Sequence, residues 1–206
     1  MVFQKEASNP LPEKTSLSEK TENGVVLGAS DVREPNAAEK SVSDDDRLVN
    51  EVVGDLQHMR QAKEKSELEK KIREMVKGYP IEEMVPYILE KDKIVAAFLI
   101  GIAKKESAWG KRVPVLNQHD CFNYWGYRGK RRHMGTGGHT CFNSPKDAVD
   151  TVSRRLEKLV YQDKVDTPAE MMVVWKCGYD CSTHAKADTK KWIQDVNLYF
   201  HDIDEE

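Results

Sequence analysis

The chain has 206 residues, 39% of them hydrophobic and 33% charged, which suits one domain with appendages and leaves a large share too polar to join a core. Its formal charge of -3 excludes a global electrostatic argument for binding nucleic acid or an acidic membrane surface. No run of about 18 apolar residues occurs, so the sequence contains no spanning segment.

From Met1 to Asp46, Ser, Glu, Lys, Asn and Pro dominate and apolar residues are scattered, so this stretch is expected to be a disordered tail or linker. Its first residues have neither the basic start nor the apolar core of a secretion signal. Leu48, Val49, Val52, Val53, Leu56 and Met59 then recur at helical spacing, and Leu68, Ile72, Met75 and Val76 resume the pattern. One long helix or two are predicted over residues 47–77, with too few unbroken heptads to assert a coiled coil. Gly78 and Pro80 stop the pattern.

A globular domain is expected over residues 79–202. Pro80 opens a short helix whose buried side is Ile81, Met84, Val85, Ile88 and Leu89, bent or split at Pro86. Asp92 is placed to cap the next helix, which runs Ile94-Val-Ala-Ala-Phe-Leu-Ile-Gly-Ile-Ala103 and is apolar on most faces, as a central buried helix must be. It leads straight into Lys104-Lys-Glu-Ser-Ala-Trp-Gly110. Glu106 therefore projects from the end of a rigid element beside a Trp-Gly turn.

Between Val113 and Asn143 the helical period is lost and glycines recur, which predicts loops with a small β-hairpin from about Tyr124 to Phe142. The Lys130-Arg-Arg132 cluster reads as a solvated hairpin tip rather than a nucleic-acid contact, since no wider basic surface accompanies it. Ser144-Pro145-Lys146-Asp147 is a helix start, followed by the stripe Ala148, Val149, Val152, Leu156, Leu159 and Val160. Thr167-Pro168-Ala169-Glu170 repeats the start signal, and a last helix from about Ala185 to Phe200 carries Trp192, Ile193, Val196 and Tyr199. The fold class is thus mainly α, with a small hairpin.

Cys121, Cys141, Cys177 and Cys181 all lie in the second half. An even count in a compact region predicts two disulfides, Cys121 with Cys141 and Cys177 with Cys181, and an oxidising, extracytoplasmic setting. The competing reading is a zinc site that adds His119, His139 or His184, although the spacing fits no common zinc template.

The segments Glu106-Ser107-Ala108-Trp109-Gly110 and Asn123-Tyr124-Trp125-Gly126 resemble the lysozyme-like superfamily. In particular they are similar to the peptidoglycan-cleaving N-acetylglucosaminidases of glycoside hydrolase family 73 and to lytic transglycosylases, where a helix-terminal Glu precedes an Asn-aromatic-aromatic-Gly segment. The resemblance covers roughly residues 79–200. It implies a lysozyme-like α+β domain, cleavage of the glycan strand of peptidoglycan or a related GlcNAc-containing glycan, and location outside the cytoplasm or in the cell envelope. It implies no cofactor. Export would then use an upstream segment or another route.

Glycosidic cleavage needs a carboxylic acid to protonate the leaving oxygen, and either a second carboxylate or a neighbouring substrate group to stabilise the sugar cation. Glu106 is the candidate acid; otherwise it is a surface Glu paired with a neighbouring lysine. Asp120, beside the aromatic segment, is the candidate second carboxylate, against its bland reading as a turn residue. Without it, the substrate's N-acetyl group or 6-hydroxyl must act, the latter giving a lytic transglycosylase. The resemblance assigns Asn123 to an acetamido group and Tyr124, Trp125 and Tyr127 to sugar faces, with His139 in the same groove. Core filling is the alternative for each aromatic, and a plain loop histidine for His139. A non-catalytic glycan-binding module is the reading from another class.

Overall fold

The computed structural model describes residues 44–204. Within them the protein is mainly helical with one two-stranded antiparallel sheet. The expected tail over residues 1–46 lies outside the described residues except at its end, where Asp44 already begins helix α1 (Asp44–Val76).

Helix α1 is one continuous element of 33 residues with two unlike halves. Ile72 and Val76 are fully buried, with Leu68 and Met75 partly covered, so the C-terminal half belongs to the core. The N-terminal half holds Leu48, Val49, Val52, Val53, Leu56 and Met59 in an exposed stripe. After α1 the chain makes a 3-10 turn at Pro80–Met84 and the short helix α2 (Val85–Ile88), in whose first turn Pro86 sits. The proline splits the helix as its ring chemistry dictates, because it lacks the N–H that a continuing helix would use.

Helix α3 (Lys93–Ser107) is the centre of the domain, and every residue from Val95 to Ala103 is buried. Its long partner is α6 (Lys186–Asp204), whose buried face is Trp192, Val196, Phe200 and Ile203. At Gly101 the two backbones come so close that a Cβ would stand 3.0 Å from the Val196 carbonyl oxygen and 3.1 Å from its Cγ1. Asp92 does not cap α3 through its side chain; its carboxylate instead accepts a 2.7 Å hydrogen bond from Tyr161. At the other end the helix stops on Ala108 and Trp109, both left-handed, with φ of 52° and 57°. Trp109 is buried and donates its indole N–H back to the Ile100 carbonyl at 3.0 Å.

The sheet corrects the expected hairpin. Strands β1 (Val115–Leu116) and β2 (His119–Asp120) pair in register Val115 to Asp120 and Leu116 to His119. Their turn residues Asn117 and Gln118 both have positive φ, 51° and 67°, the geometry of the two-residue turn that matches strand twist. From Tyr124 to Phe142 there is only one bridge, Met134 to Thr140.

Helix α4 (Pro145–Glu157) starts where Ser144 accepts from the Asp147 N–H, and it buries Ala148, Val149, Val152 and Leu156. It continues into a wider turn at Lys158–Gln162. Helix α5 (Pro168–Met171) opens with Thr167 and Glu170 forming a reciprocal capping box and likewise widens over Met172–Lys176. Both disulfides have the expected partners, Cys121–Cys141 and Cys177–Cys181. All four thiols are thereby consumed, so none is left to ligate zinc. Such bonds persist in oxidising, extracytoplasmic settings. No helix among the described residues is long and apolar enough to cross a membrane.

Two ion pairs fasten α4 to its surroundings. Arg131 meets Asp147 at 2.6 Å, and Lys91 meets Asp150 at 2.9 Å. The hydrogen bond from Arg131 holds the Asp147 carboxyl below the usual carboxylate range, and those from Lys146 and Lys91 do the same for Asp150. A carboxyl lowered in this way stabilises the fold above its unfolded value, about 3.9 for Asp, and the contribution is lost as pH falls through the lower folded value. Asp147→Asn should therefore cost about 1 kcal/mol near neutral pH, a figure kept small because the pair is partly solvated. It should also flatten the acid side of a melting-temperature profile taken between about pH 5 and 2. Parallel acid limbs in the two proteins would contradict this account.

Candidate active site

Glu106 lies in the last turn of α3, partly buried. Two clefts meet at it. The larger, of about 540 Å³, is walled by Ser107, Arg112, Val113, Asn123 and Thr136, and the smaller, of about 200 Å³, by Trp125, Trp175 and Lys176. Glu106, Gly126, Arg128 and His139 line both. The result is an open trough with a carboxyl at its middle. Among the described residues lining the two clefts, Glu106 is the only carboxylate.

The carboxyl is oriented from two sides. The Trp192 indole N–H, brought in by α6, donates to Oε1 at 2.7 Å. Beside the other oxygen stands Gly126, with φ of 68°, where an added Cβ would lie 3.4 Å from Oε2. A side chain there would be strained by the left-handed backbone and would crowd the free oxygen. Glycine leaves that oxygen open to the trough.

The segment Asn123 to Tyr127 supplies the wall, but not in the roles the resemblance assigned. Asn123 is buried and donates to the Tyr127 and Thr140 carbonyls, both at 2.8 Å, while accepting from the Tyr127 N–H at 3.0 Å. Its amide is therefore committed to holding the loop. Tyr124 and Trp125 are 2% and 0% exposed, so neither ring can stack on a sugar face. The segment is not a strand, and the two rings stack with centroids 6.0 Å apart. The Trp125 indole N–H is tied to the Leu99 carbonyl at 2.8 Å, which pins the wall to α3. Tyr127 packs among Phe142 and Trp175 and does not line either cleft.

Asp120 is a structural residue. Its Oδ1 accepts from the Phe122 N–H at 2.6 Å and its Oδ2 from the Tyr124 hydroxyl at 3.1 Å. It lines neither cleft. Burial, reinforced by the charge and hydrogen bond of Asp120, pushes the Tyr124 phenol well above its ordinary range, so it stays a donor at all working pH values. The turn reading of Asp120 accounts for its bond to the Phe122 N–H.

His139 is placed in both clefts, as expected of a groove residue. Arg128 spans the trough's edge, donating to the Gly137 carbonyl at 2.7 Å and toward His139 Nε2 at 3.2 Å. A guanidinium can only donate, so Nε2 accepts and the ring proton sits on Nδ1. That nitrogen is buried without a hydrogen-bond partner.

Several lining or orienting residues carry no site signal in the sequence, among them Arg112, Trp175 and Trp192. Trp192 is 86 positions from the carboxyl it contacts, and its spacing in α6 signals only a core residue. Trp175 exposes part of its ring to the smaller cleft and donates to the Trp125 carbonyl at 3.2 Å. Arg128 follows the aromatic segment directly, and that adjacency is its signal in the sequence. Comparison with known proteins found no protein-family model, no curated protein and no solved structure matching the chain.

The structural role of Asn123 is directly testable. Asn123→Ala strips three hydrogen bonds from a buried loop and leaves their partners unsatisfied, which should lower unfolding stability by about 2–4 kcal/mol in denaturant titration. A variant as stable as the wild type would return Asn123 to a ligand-binding role.

Proposed function

We propose that the chain is a lysozyme-like glycosidase that cleaves the glycan strand of peptidoglycan, with Glu106 as its general acid. The observation that carries this reading is the single oriented carboxyl at the midpoint of an open trough. A trough open past both sides of the carboxyl suits a polymer bound across it, cut within the strand. Trp175, at one end, offers the partly exposed aromatic surface that a sugar ring can stack against.

In the chemistry, Glu106 gives its proton to the bridging oxygen as the bond from that oxygen to the sugar's C1 breaks. Trp192 keeps Oε1 occupied, so the proton is delivered from the side facing Gly126. The cation at C1 needs an electron-pair donor. With no second carboxylate among the described residues of the trough, the substrate's own acetamido oxygen or its 6-hydroxyl fits that role. In the first case water later opens the cyclic intermediate, and Glu106, now the base, takes the water's proton. In the second, Glu106 takes the hydroxyl proton and the product is a 1,6-anhydro sugar, as for a lytic transglycosylase. Both routes return Glu106 to its acid form. The two disulfides agree with work outside the cytoplasm, in or near the cell envelope.

Glu106→Gln should lower the rate on purified wall glycan by about a thousandfold or more, and Asp120→Asn by less than about tenfold, a barrier change below about 1.4 kcal/mol. Mass spectrometry of the products separates the routes by their reducing GlcNAc, reducing MurNAc or anhydroMurNAc ends. Sugar binding without any product, by folded oxidised wild type, would sink the enzyme reading and leave a glycan-binding module.

A further inference from the structure

Beside the trough lies a second groove, of about 450 Å³, which meets it at Arg112, the one residue lining both the larger cleft and this groove. Among the described residues, its wall presents Lys104, Lys105, Arg112 and Lys191 against a single acid, Asp195, and Leu198 adds an apolar surface that is 62% exposed. The acid is already committed. Lys105 Nζ stands 2.6 Å from its carboxylate and Lys191 Nζ 3.1 Å.

Lys104 is held in place by aromatic rings. Its Nζ is 3.9 Å from the Trp109 ring centroid, 5.0 Å from that of Tyr79 and 5.4 Å from that of Tyr199. That arrangement fixes its charge without neutralising it. The groove therefore has uncompensated positive charge and an apolar wall side by side. A neutral sugar would use neither. A short peptide with free carboxylates and small apolar side chains would use both, and a guanidinium fork such as that of Arg112 matches a carboxylate geometrically.

We propose that this groove binds the anionic peptide substituent of the glycan, so that the chain prefers peptide-bearing strands to bare ones. The proposal rests on the glycosidase reading for its substrate. A strand lying across Glu106 would send its side peptide past Arg112 into the groove, with its carboxylates toward Lys191 and its methyl groups toward Leu198.

The test digests peptide-bearing wall glycan in parallel with the same glycan stripped of peptide by an amidase. Wild type should cleave the peptide-bearing strands about fivefold faster at low salt, with the difference shrinking as added salt screens the charges. Lys191 lines only the groove and its side chain is 68% exposed, so Lys191→Glu should fold normally. That variant should lose the preference and keep the wild-type rate on bare strands, while Lys191→Arg keeps both. Equal wild-type rates on the two substrates, or a preference that survives Lys191→Glu, would overturn the groove's role and leave the glycosidase reading standing. If neither glycan is cleaved, the glycosidase reading fails, and co-sedimentation of the protein with insoluble wall material decides the groove separately. Retention that needs both the peptides and Lys191 upholds the groove, and retention indifferent to either overturns it.

Discussion

A helix that is apolar on every side must be covered on every side, and that requirement on α3 organises the domain. Burying its residues from Val95 to Ala103 calls for α6, α4 and the Trp125 loop around it. One close contact among these is Gly101 against Val196, where no side chain fits between the backbones. Close approach brings α6 near enough for Trp192 to reach Glu106 one turn further along α3. The packing of the core and the orientation of the carboxyl are thus one constraint. A bulkier residue at 101 would push α6 away and loosen both.

The opposite wall has almost no regular structure, so its shape depends on individual bonds. The Cys121–Cys141 disulfide closes a segment of 20 residues, and the Asn123 amide replaces the ladder that a true hairpin would have had. Thr140 reinforces it through its hydroxyl bond to the Gly129 carbonyl, and Trp125 fastens the whole to the Leu99 carbonyl of α3. These groups are buried, where an unmade bond is costly, so the loop holds one conformation rather than several. Rigidity of that kind keeps the wall beside the Glu106 carboxyl in one place.

The sequence made the helices legible because each carried a repeated signal. The stripes of α4 and α6 recur over several turns, and Ser144 and Thr167 mark starts that the chain does use. Asp92 shows the limit of a single-residue signal, since its carboxylate found a better partner in Tyr161, 69 positions away. Aromatics and glycines between Tyr124 and Phe142 mimic a strand pattern, whereas the true turn needs only Asn117 and Gln118 at positive φ. At the site, Glu106 was readable from its motif. Trp192, which orients it, was not, because its spacing in α6 carries no mark of facing a cleft.

The aromatic segment illustrates why motif residues and contact residues separate. Asn, Tyr and Trp are large or polar groups that lie in the wall, and the wall can present a flat backbone to the trough only if those side chains turn inward. Asn123 satisfies backbone groups behind the surface, Tyr124 and Trp125 fill the space beneath it, and Gly126 is left facing Oε2 with nothing in between. The surface that meets Glu106 is consequently made by the residue with no side chain. Its neighbours hold that backbone in a left-handed conformation, which glycine adopts at the least cost. The shape of the wall beside Glu106 thus depends on all four residues.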